Sequence, residues 1–150
     1  MEKTIQQLQG IISNYTVQLK GVSEAEWTYK PNATKWSKKE ILGHLIDSAQ
    51  NNIRRFVVAQ YEDKPKIVYA GDKWVASADY QNYLTPDLIE LWVLLNKHTC
   101  VVLRNIPAGA AENLCETEES HTIEWLAEDY NKHLLHHLHQ VLNLEPVKNL

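Results

Sequence analysis

Four segments of this chain repeat their apolar residues every three or four positions, which is the period of an α-helix. The first predicted helix begins near Ile5 and ends at Gly21, a residue typical of helix ends. The second begins after Ser37, which forms a capping-box pattern with Glu40, and it continues to about Gln60. Both patterns predict amphipathic helices that need partners to cover their apolar sides.

Two further helices follow. Thr85 and Pro86 predict an N-cap and a first helical residue, and the third helix then continues to about Asn105. Thr122 predicts the cap of a fourth helix over 123–142. Four helices of this length predict an all-α four-helix bundle, and 150 residues fit one domain, 1–150.

The third helix is apolar on more than one side. One stripe is formed by Leu88, Leu91, Trp92, Leu95 and Val102, while Val93, Leu94 and Val101 lie outside it. Central helices and interface helices have this pattern, so the sequence allows a homodimer through this helix.

Segment 61–84 has no sustained period. It contains a proline, a glycine and many aromatic residues, and the aromatic residues argue against disorder. Ordered loops of this length are usually functional. We therefore expect a long ordered loop between helices two and three, with at most one short helical turn.

Composition disfavours several classes of protein. The net charge of −4 is spread over mixed signs without a basic stripe, so we expect no nucleic-acid partner. No segment has the length and apolarity of a membrane span or a signal peptide, so we expect no membrane partner. Cys100 and Cys115 lack a disulfide or CxxC pattern, which favours reduced thiols and the cytoplasm.

The stretch NKHLLHHLHQ concentrates four of the seven histidines at positions 133, 136, 137 and 139. On a helical wheel His137 lies inside the apolar stripe and His133 lies at its edge. His136 and His139 lie on the opposite side, where we expect them to face water. His133 and His137 are one turn apart on one face, so their imidazoles can converge on a single cation.

One helix cannot surround a metal ion, so another ligand must come from elsewhere. His44 on the second helix is the natural candidate, and Gly43 before it would let the two helix backbones approach. On the wheel His44 shares a semi-polar strip with Ser48, Asn52 and Arg55, which is typical of a cavity wall. The alternative for His44 is an ordinary hydrogen-bonded histidine of the core.

Other catalytic motifs are missing from the sequence. The HExxH motif would need glutamate where Leu134 stands, and the inverted HxxEH motif would need it at His136. There is no glycine-rich phosphate loop and no GxSxG sequence. No catalytic acid or base is therefore identified.

Three stretches together resemble a known family. They are the W-S-x-x-E-I-L-x-H-L start of helix two, a W-x-x-x-N-x-H segment in helix three and the D-Y-x-x-H-x-x-x-H end of helix four. In this order they resemble the DinB-like (YfiT-like) superfamily of small bacterial metalloproteins. The resemblance implies a bundle of up-down-down-up type and a divalent metal ion held by His44, His133 and His137. Zinc or nickel is the first expectation, with iron or manganese as further candidates.

The resemblance also implies a class of activity. Characterised relatives include transferases and isomerases that use bacillithiol, mycothiol or glutathione. One hypothesis is therefore a metal-dependent transferase of the thiol S-transferase type, or a hydrolase, acting on a small molecule. Ser48, Asn52, Arg55 and aromatic residues of 61–84 would line its pocket, with Arg55 binding an anionic group. The alternative is a non-catalytic metal-binding bundle with a role in stress response.

Overall fold

The computed structural model describes residues 1–148 and is a bundle of four long helices. The all-α fold class is as the sequence predicts. In chain order the elements are α1 (Glu2–Lys20), α2 (Glu24–Thr28), α3 (Lys38–Val58), α4 (Gly71–Ala78), a 3-10 helix (Tyr80–Asn82), α5 (Thr85–Arg104), β1 (Leu114–Glu116), β2 (Ser120–Thr122) and α6 (Ile123–Val141).

Two predicted helix caps are confirmed. The Ser37 hydroxyl accepts the backbone N–H of Glu40, and the Glu40 carboxylate accepts that of Ser37 at 2.8 Å. The Thr122 hydroxyl accepts the backbone N–H of Trp125 at 3.1 Å. These contacts satisfy N–H groups that the first turn of a helix leaves unpaired, and they fix where α3 and α6 begin.

The predicted cap at Thr85 is wrong. The N-cap of α5 is Leu84, and Thr85 is already the first helical residue. The Thr85 hydroxyl donates instead to the Glu24 carboxylate at 2.5 Å. A tertiary hydrogen bond to α2 has therefore replaced the local capping bond. This contact could not be predicted, because α2 has only five residues and is too short to be recognised from periodicity.

The long helices are arranged as a ring in the order α1, α5, α3, α6. Both α1 and α3 pack against α5 and α6. α1 therefore lies across the bundle from α3, and α5 lies across from α6, whereas α3 and α5 are neighbours. The first and last of the three connections between long helices must therefore cross an end of the bundle. Two large aromatic residues, Trp92 of α5 and Tyr130 of α6, are buried in the core between these opposite helices, and the Tyr130 hydroxyl donates to Asn96 of α5 at 2.6 Å.

Segment 61–84 is ordered, but it is more helical than predicted, because it contains α4 and the 3-10 helix. Ile67 donates its N–H to the carbonyl oxygen of Glu116 at 2.9 Å. At the other end the Tyr80 ring packs on Gly43, where a Cβ would lie 2.1 Å from the ring. Gly43 therefore admits Tyr80, and the expectation that it lets two long helices approach is wrong.

The hairpin β1–β2 was not predicted, because two three-residue strands carry too little periodic signal. Its antiparallel pairs run from Leu114 opposite Thr122 to Glu116 opposite Ser120, and β2 leads directly into α6. On the outside of the bundle, α5 exposes Leu94 and Val101 by more than half. Within residues 1–148 no helix has the length and apolarity needed to cross a membrane.

Candidate metal centre

Three histidines from two helices meet at the α3–α6 contact. His44 comes from α3, and His133 and His137 come from successive turns of α6. One ring nitrogen of each lies within 4.8 Å of the other two, and all three side chains are half-buried. The Nε2 atoms of His44 and His133 are 3.1 Å apart. We call these residues the histidine triad.

Polar neighbours orient two of the three rings. The Nδ1 of His133 faces the Ser48 hydroxyl at 3.4 Å, and the Nδ1 of His137 donates to the Gln140 amide oxygen at 2.7 Å. The amide nitrogen of Gln140 in turn donates to His136 at 3.3 Å. A proton on Nδ1 leaves the Nε2 lone pair of His137 free to bind a cation.

The third ring lacks such a neighbour. The Nδ1 atom of His44 is buried and has no hydrogen-bond partner within residues 1–148. Trp36 lies against this ring with centroids 5.2 Å apart, and a Cβ on Gly71 of α4 would lie 3.4 Å from its Cε1 atom. Apolar and backbone atoms therefore cover His44, and they leave one of its nitrogens without a polar contact.

The triad is neutral at pH 7. Burial and, to a smaller extent, the neighbouring His137 lower the pKa of His44 to about 4, against the opposing effect of the Asp72 charge. Burial, followed by the charges of His137, His44 and His136, lowers the pKa of His133 to about 3. Burial also lowers the pKa of His137. Neutral imidazole is the form that binds metal ions.

The other two histidines of α6 differ from each other. His136 is exposed, as predicted. His139 is half-buried, and its Nε2 lies 2.7 Å from the Tyr15 hydroxyl. Its Nδ1 donates to the carbonyl oxygen of Glu145 at 2.6 Å. The expectation that His139 faces water is wrong, because α1 covers that side of α6.

Residues 7–141 match the family model of the DinB superfamily. The chain belongs to the DinB superfamily. No curated protein sequence matches it.

Solved structures share the fold of this DinB chain. YfiT from Bacillus subtilis, described as a probable metal-dependent hydrolase with an unusual four-helix bundle topology, superposes with a TM-score of 0.85 at 20% identity. The match covers 95% of this chain and 83% of YfiT. The mycothiol-dependent maleylpyruvate isomerase superposes with a TM-score of 0.74 at 14% identity, over 97% of this chain and 61% of the isomerase. A histidine-to-alanine mutant of the isomerase gives 0.78 at 13% identity, with the same coverage.

The semi-polar strip of this DinB chain is mostly buried and not open to solvent. Ser48 is 2% exposed and Asn52 is 6% exposed. The Asn52 amide nitrogen donates to the Ser48 carbonyl oxygen at 2.9 Å, and its oxygen accepts Nη1 of Arg55 at 3.3 Å. Of the three predicted pocket residues, Arg55 is the one that lines an open cavity.

This Arg55 cavity has a volume of about 560 Å³ and lies between α3, the segment before α4, the hairpin and α6. Its walls include Tyr69, one of the aromatic residues of 61–84 that were expected to line a pocket with Arg55, and two residues that were not predicted, Trp125 and Asp129. Asp129 precedes His133 by one helical turn on α6, and this spacing is the sequence signal that places Asp129 near the triad. The expectation for 61–84 named no single residue; within that segment Tyr69 lies against Arg55, with its ring centroid 5.7 Å from the guanidinium carbon.

Proposed function

We propose that this chain is a divalent-metal-dependent enzyme acting on a small molecule, with its ion held by His44, His133 and His137. The observation that carries the proposal is the convergence of three neutral imidazoles from two helices. Half-buried rings whose pKa values are held below the ordinary value are suited to binding a cation, because the imidazole is already in its neutral form.

The triad fits such an ion. Two nitrogens each about 2 Å from one zinc ion are separated by roughly 3 to 3.4 Å in near-tetrahedral geometry, and the Nε2 atoms of His44 and His133 are 3.1 Å apart. Without a metal, an N–H···N hydrogen bond would satisfy the same pair. We propose zinc or nickel first, since imidazole suits both better than calcium or magnesium, with iron or manganese as further candidates.

Three protein ligands are typical of catalytic rather than structural sites, because they leave a coordination position open. When bound, the ion would supply the positive charge that lowers the pKa of a thiol or water and makes it nucleophilic near pH 7. The chain itself holds the geometry: Ser48 orients His133, Gln140 orients His137, and Trp36 keeps water from one side of His44. Arg55 would bind an anionic group of the substrate, with Asn52 holding its guanidinium.

The relatives support two reaction classes. YfiT is described as a probable metal-dependent hydrolase, and the isomerase depends on mycothiol. We therefore propose a thiol S-transferase or a hydrolase, with a low-molecular-weight thiol as the first candidate cosubstrate. The two unpaired cysteines of the chain fit the cytoplasm as the compartment.

Oligomeric state is a separate proposal. Leu94 is 55% exposed and Val101 is 57% exposed, and they lie two turns apart on α5. This face would be covered in a homodimer through α5. Light scattering of the purified protein measures its mass directly, and a strictly monomeric protein at high concentration would exclude the dimer.

The test of function begins with metal analysis of untagged protein, because a His tag would add histidines to a histidine-rich chain. The wild type is compared with His133→Ala and, as a matched control on the same helix, with His136→Ala. We expect one ion per chain in the wild type and the control, and none in His133→Ala.

Turnover is then measured with a panel of thiols and electrophiles such as monochlorobimane, and with a panel of small esters and amides. Metal-dependent turnover that is lost in His133→Ala and kept in His136→Ala supports the enzyme. Stoichiometric metal binding without turnover on any panel would favour the non-catalytic metal-binding bundle, and absence of stoichiometric metal would reject both.

A further inference from the structure

The Arg55 cavity is lined by residues of opposite charge that form no ion pair with each other in the described part of the chain. Arg55 comes from α3 and Asp129 comes from α6, so the two side chains lie on different walls. The charge of Asp129 acts on the guanidinium, yet within residues 1–148 the two form no ion pair. A ligand with its own opposite charges could bridge this gap.

Arg55 is held in place for such a contact. Its Nε and Nη2 both donate to the carbonyl oxygen of Ile67, at 3.2 and 3.1 Å, and its Nη1 donates to Asn52. A guanidinium carries five N–H groups, so two remain without a partner in the described part of the chain. The Tyr69 ring supports the guanidinium plane at 5.7 Å. A fixed guanidinium with free N–H groups is suited to binding a carboxylate.

The opposite wall is acidic and aromatic. Asp129 is exposed to the cavity, and Glu118 and Glu119 at the hairpin tip line its rim. Trp125 is 44% exposed and stacks on His121 with ring centroids 3.6 Å apart. An ammonium group suits this wall, since carboxylates and the faces of aromatic rings both attract cations.

We propose that the Arg55 cavity binds the zwitterionic head group of an amino acid or an amino-acid derivative. Its carboxylate contacts Arg55, and its ammonium group contacts Asp129. A simple anion would meet three carboxylates, and a simple cation would meet Arg55, so only a ligand with both charges satisfies both walls. The proposal deepens the proposed function by naming its substrate class.

The remainder of the ligand would extend toward the histidine triad. Asp129 and His133 are one turn apart on α6, a spacing of about 5–6 Å between Cβ atoms. Gly71 connects the two regions, because a Cβ there would lie 3.9 Å from the Tyr69 ring and 3.5 Å from Nδ1 of His44. The Arg55 cavity and the triad are therefore close neighbours, and we propose that the side chain of the bound amino acid points toward the triad.

The test measures binding to metal-free protein by the indole signal of Trp125 in proton–nitrogen NMR spectra at pH 7. The probes are S-methyl-L-cysteine, its deaminated analogue 3-(methylthio)propanoate and its decarboxylated analogue 2-(methylthio)ethylamine. We expect S-methyl-L-cysteine to bind at least about tenfold more tightly than either analogue, since each analogue loses one charge-assisted contact.

Variants assign the two contacts. Asp129→Asn should lower the affinity for S-methyl-L-cysteine by about tenfold and leave that for the propanoate unchanged or higher. Arg55→Lys keeps the positive charge but loses the paired N–H donors of the guanidinium. It should lower the affinity for both carboxylate ligands and leave the affinity for the amine unchanged. Glu128→Gln, an exposed neighbour of Asp129 that does not line the cavity, is the matched control.

Equal affinity for all three probes, unchanged binding in Asp129→Asn, or no binding of S-methyl-L-cysteine at tens of millimolar would each overturn the proposal. Because the protein is free of metal, these outcomes are independent of the metal test. Failure of the metal enzyme leaves a measurable amino-acid site, and failure of the site leaves the metal enzyme intact.

Discussion

The histidines of α6 that face α3 (inward) and those that face away from α3 (outward) have identical side chains and different surroundings. His133 and His137 lie against α3, close to His44. Burial at this contact lowers the pKa values of both residues. His136 is exposed, and His139 is bound to Tyr15 of α1. The difference shows that the helix face and the neighbouring helix, rather than the local density of histidine, decide which rings could hold a metal ion.

The largest expected effect separates the two groups directly. His133→Ala and His137→Ala should each abolish stoichiometric zinc or nickel binding, because two remaining imidazoles form a weak site. His136→Ala and His139→Ala should leave it intact. Titration of metal into each untagged, chelator-treated variant measures the difference. Similar losses in all four variants would mean that the outward histidines also bind the ion.

His44 extends the comparison to a second helix. His44→Ala should lower metal affinity by orders of magnitude, since the site loses one of three ligands. The melting temperature without metal should change only modestly, because the half-buried ring makes no hydrogen bond at Nδ1 and at most one at Nε2, with His133. A lower melting temperature with unchanged metal affinity would identify His44 as an ordinary core histidine.

The next effect is on stability against pH. The folded state holds His44 and His133 at pKa values of about 4 and about 3, below the ordinary value of 6.5. Between pH 6.5 and these values the unfolded chain binds protons that the folded chain does not, so stability is lost as pH falls and is fully present above 6.5.

This loss should appear in melting curves of metal-free protein at pH 7.5 and pH 5. Each kcal/mol of lost stability lowers the melting temperature by roughly 2–4 °C for a chain of this size. His133→Gln should reduce the dependence on pH, while His136→Gln should keep it. Identical pH dependence in the two variants would show that the inward rings titrate normally.

Much of the architecture could be predicted, because α3 and α6 carry both a helical period and a local cap. The triad followed from the same periodicity, since His133 and His137 share a face and His44 begins the polar strip of α3. Two contacts could not be predicted: the Tyr80 ring on Gly43, and the Tyr15 hydroxyl on His139. Each joins segments that are distant in the sequence and meet only in the folded bundle. The short elements α2 and β1–β2 were missed for lack of periodic signal.

Removing the metal should affect stability moderately without unfolding the chain. The core of four helices is already closed by apolar residues such as Leu42, Trp92 and Leu134, which are 0% exposed. An ion at about a hundred times its dissociation constant adds about 2.7 kcal/mol, hence roughly 5–10 °C in melting temperature. Far-ultraviolet circular dichroism should show the same helicity before and after EDTA. Loss of the helical signal at room temperature would indicate a structural metal.

The smallest effect separates the two outward histidines from each other. His139→Ala removes the partner of the Tyr15 hydroxyl at 2.7 Å and should cost about 0.5–1.5 kcal/mol, whereas exposed His136→Ala should cost close to nothing. Chemical unfolding of metal-free protein measures both values. Tyr15→Phe removes the same hydrogen bond from the other side, so it should cost less in a His139→Ala background than in the wild type. Additive losses in the double variant would show that the bond contributes nothing, and that His139 differs from His136 in position alone.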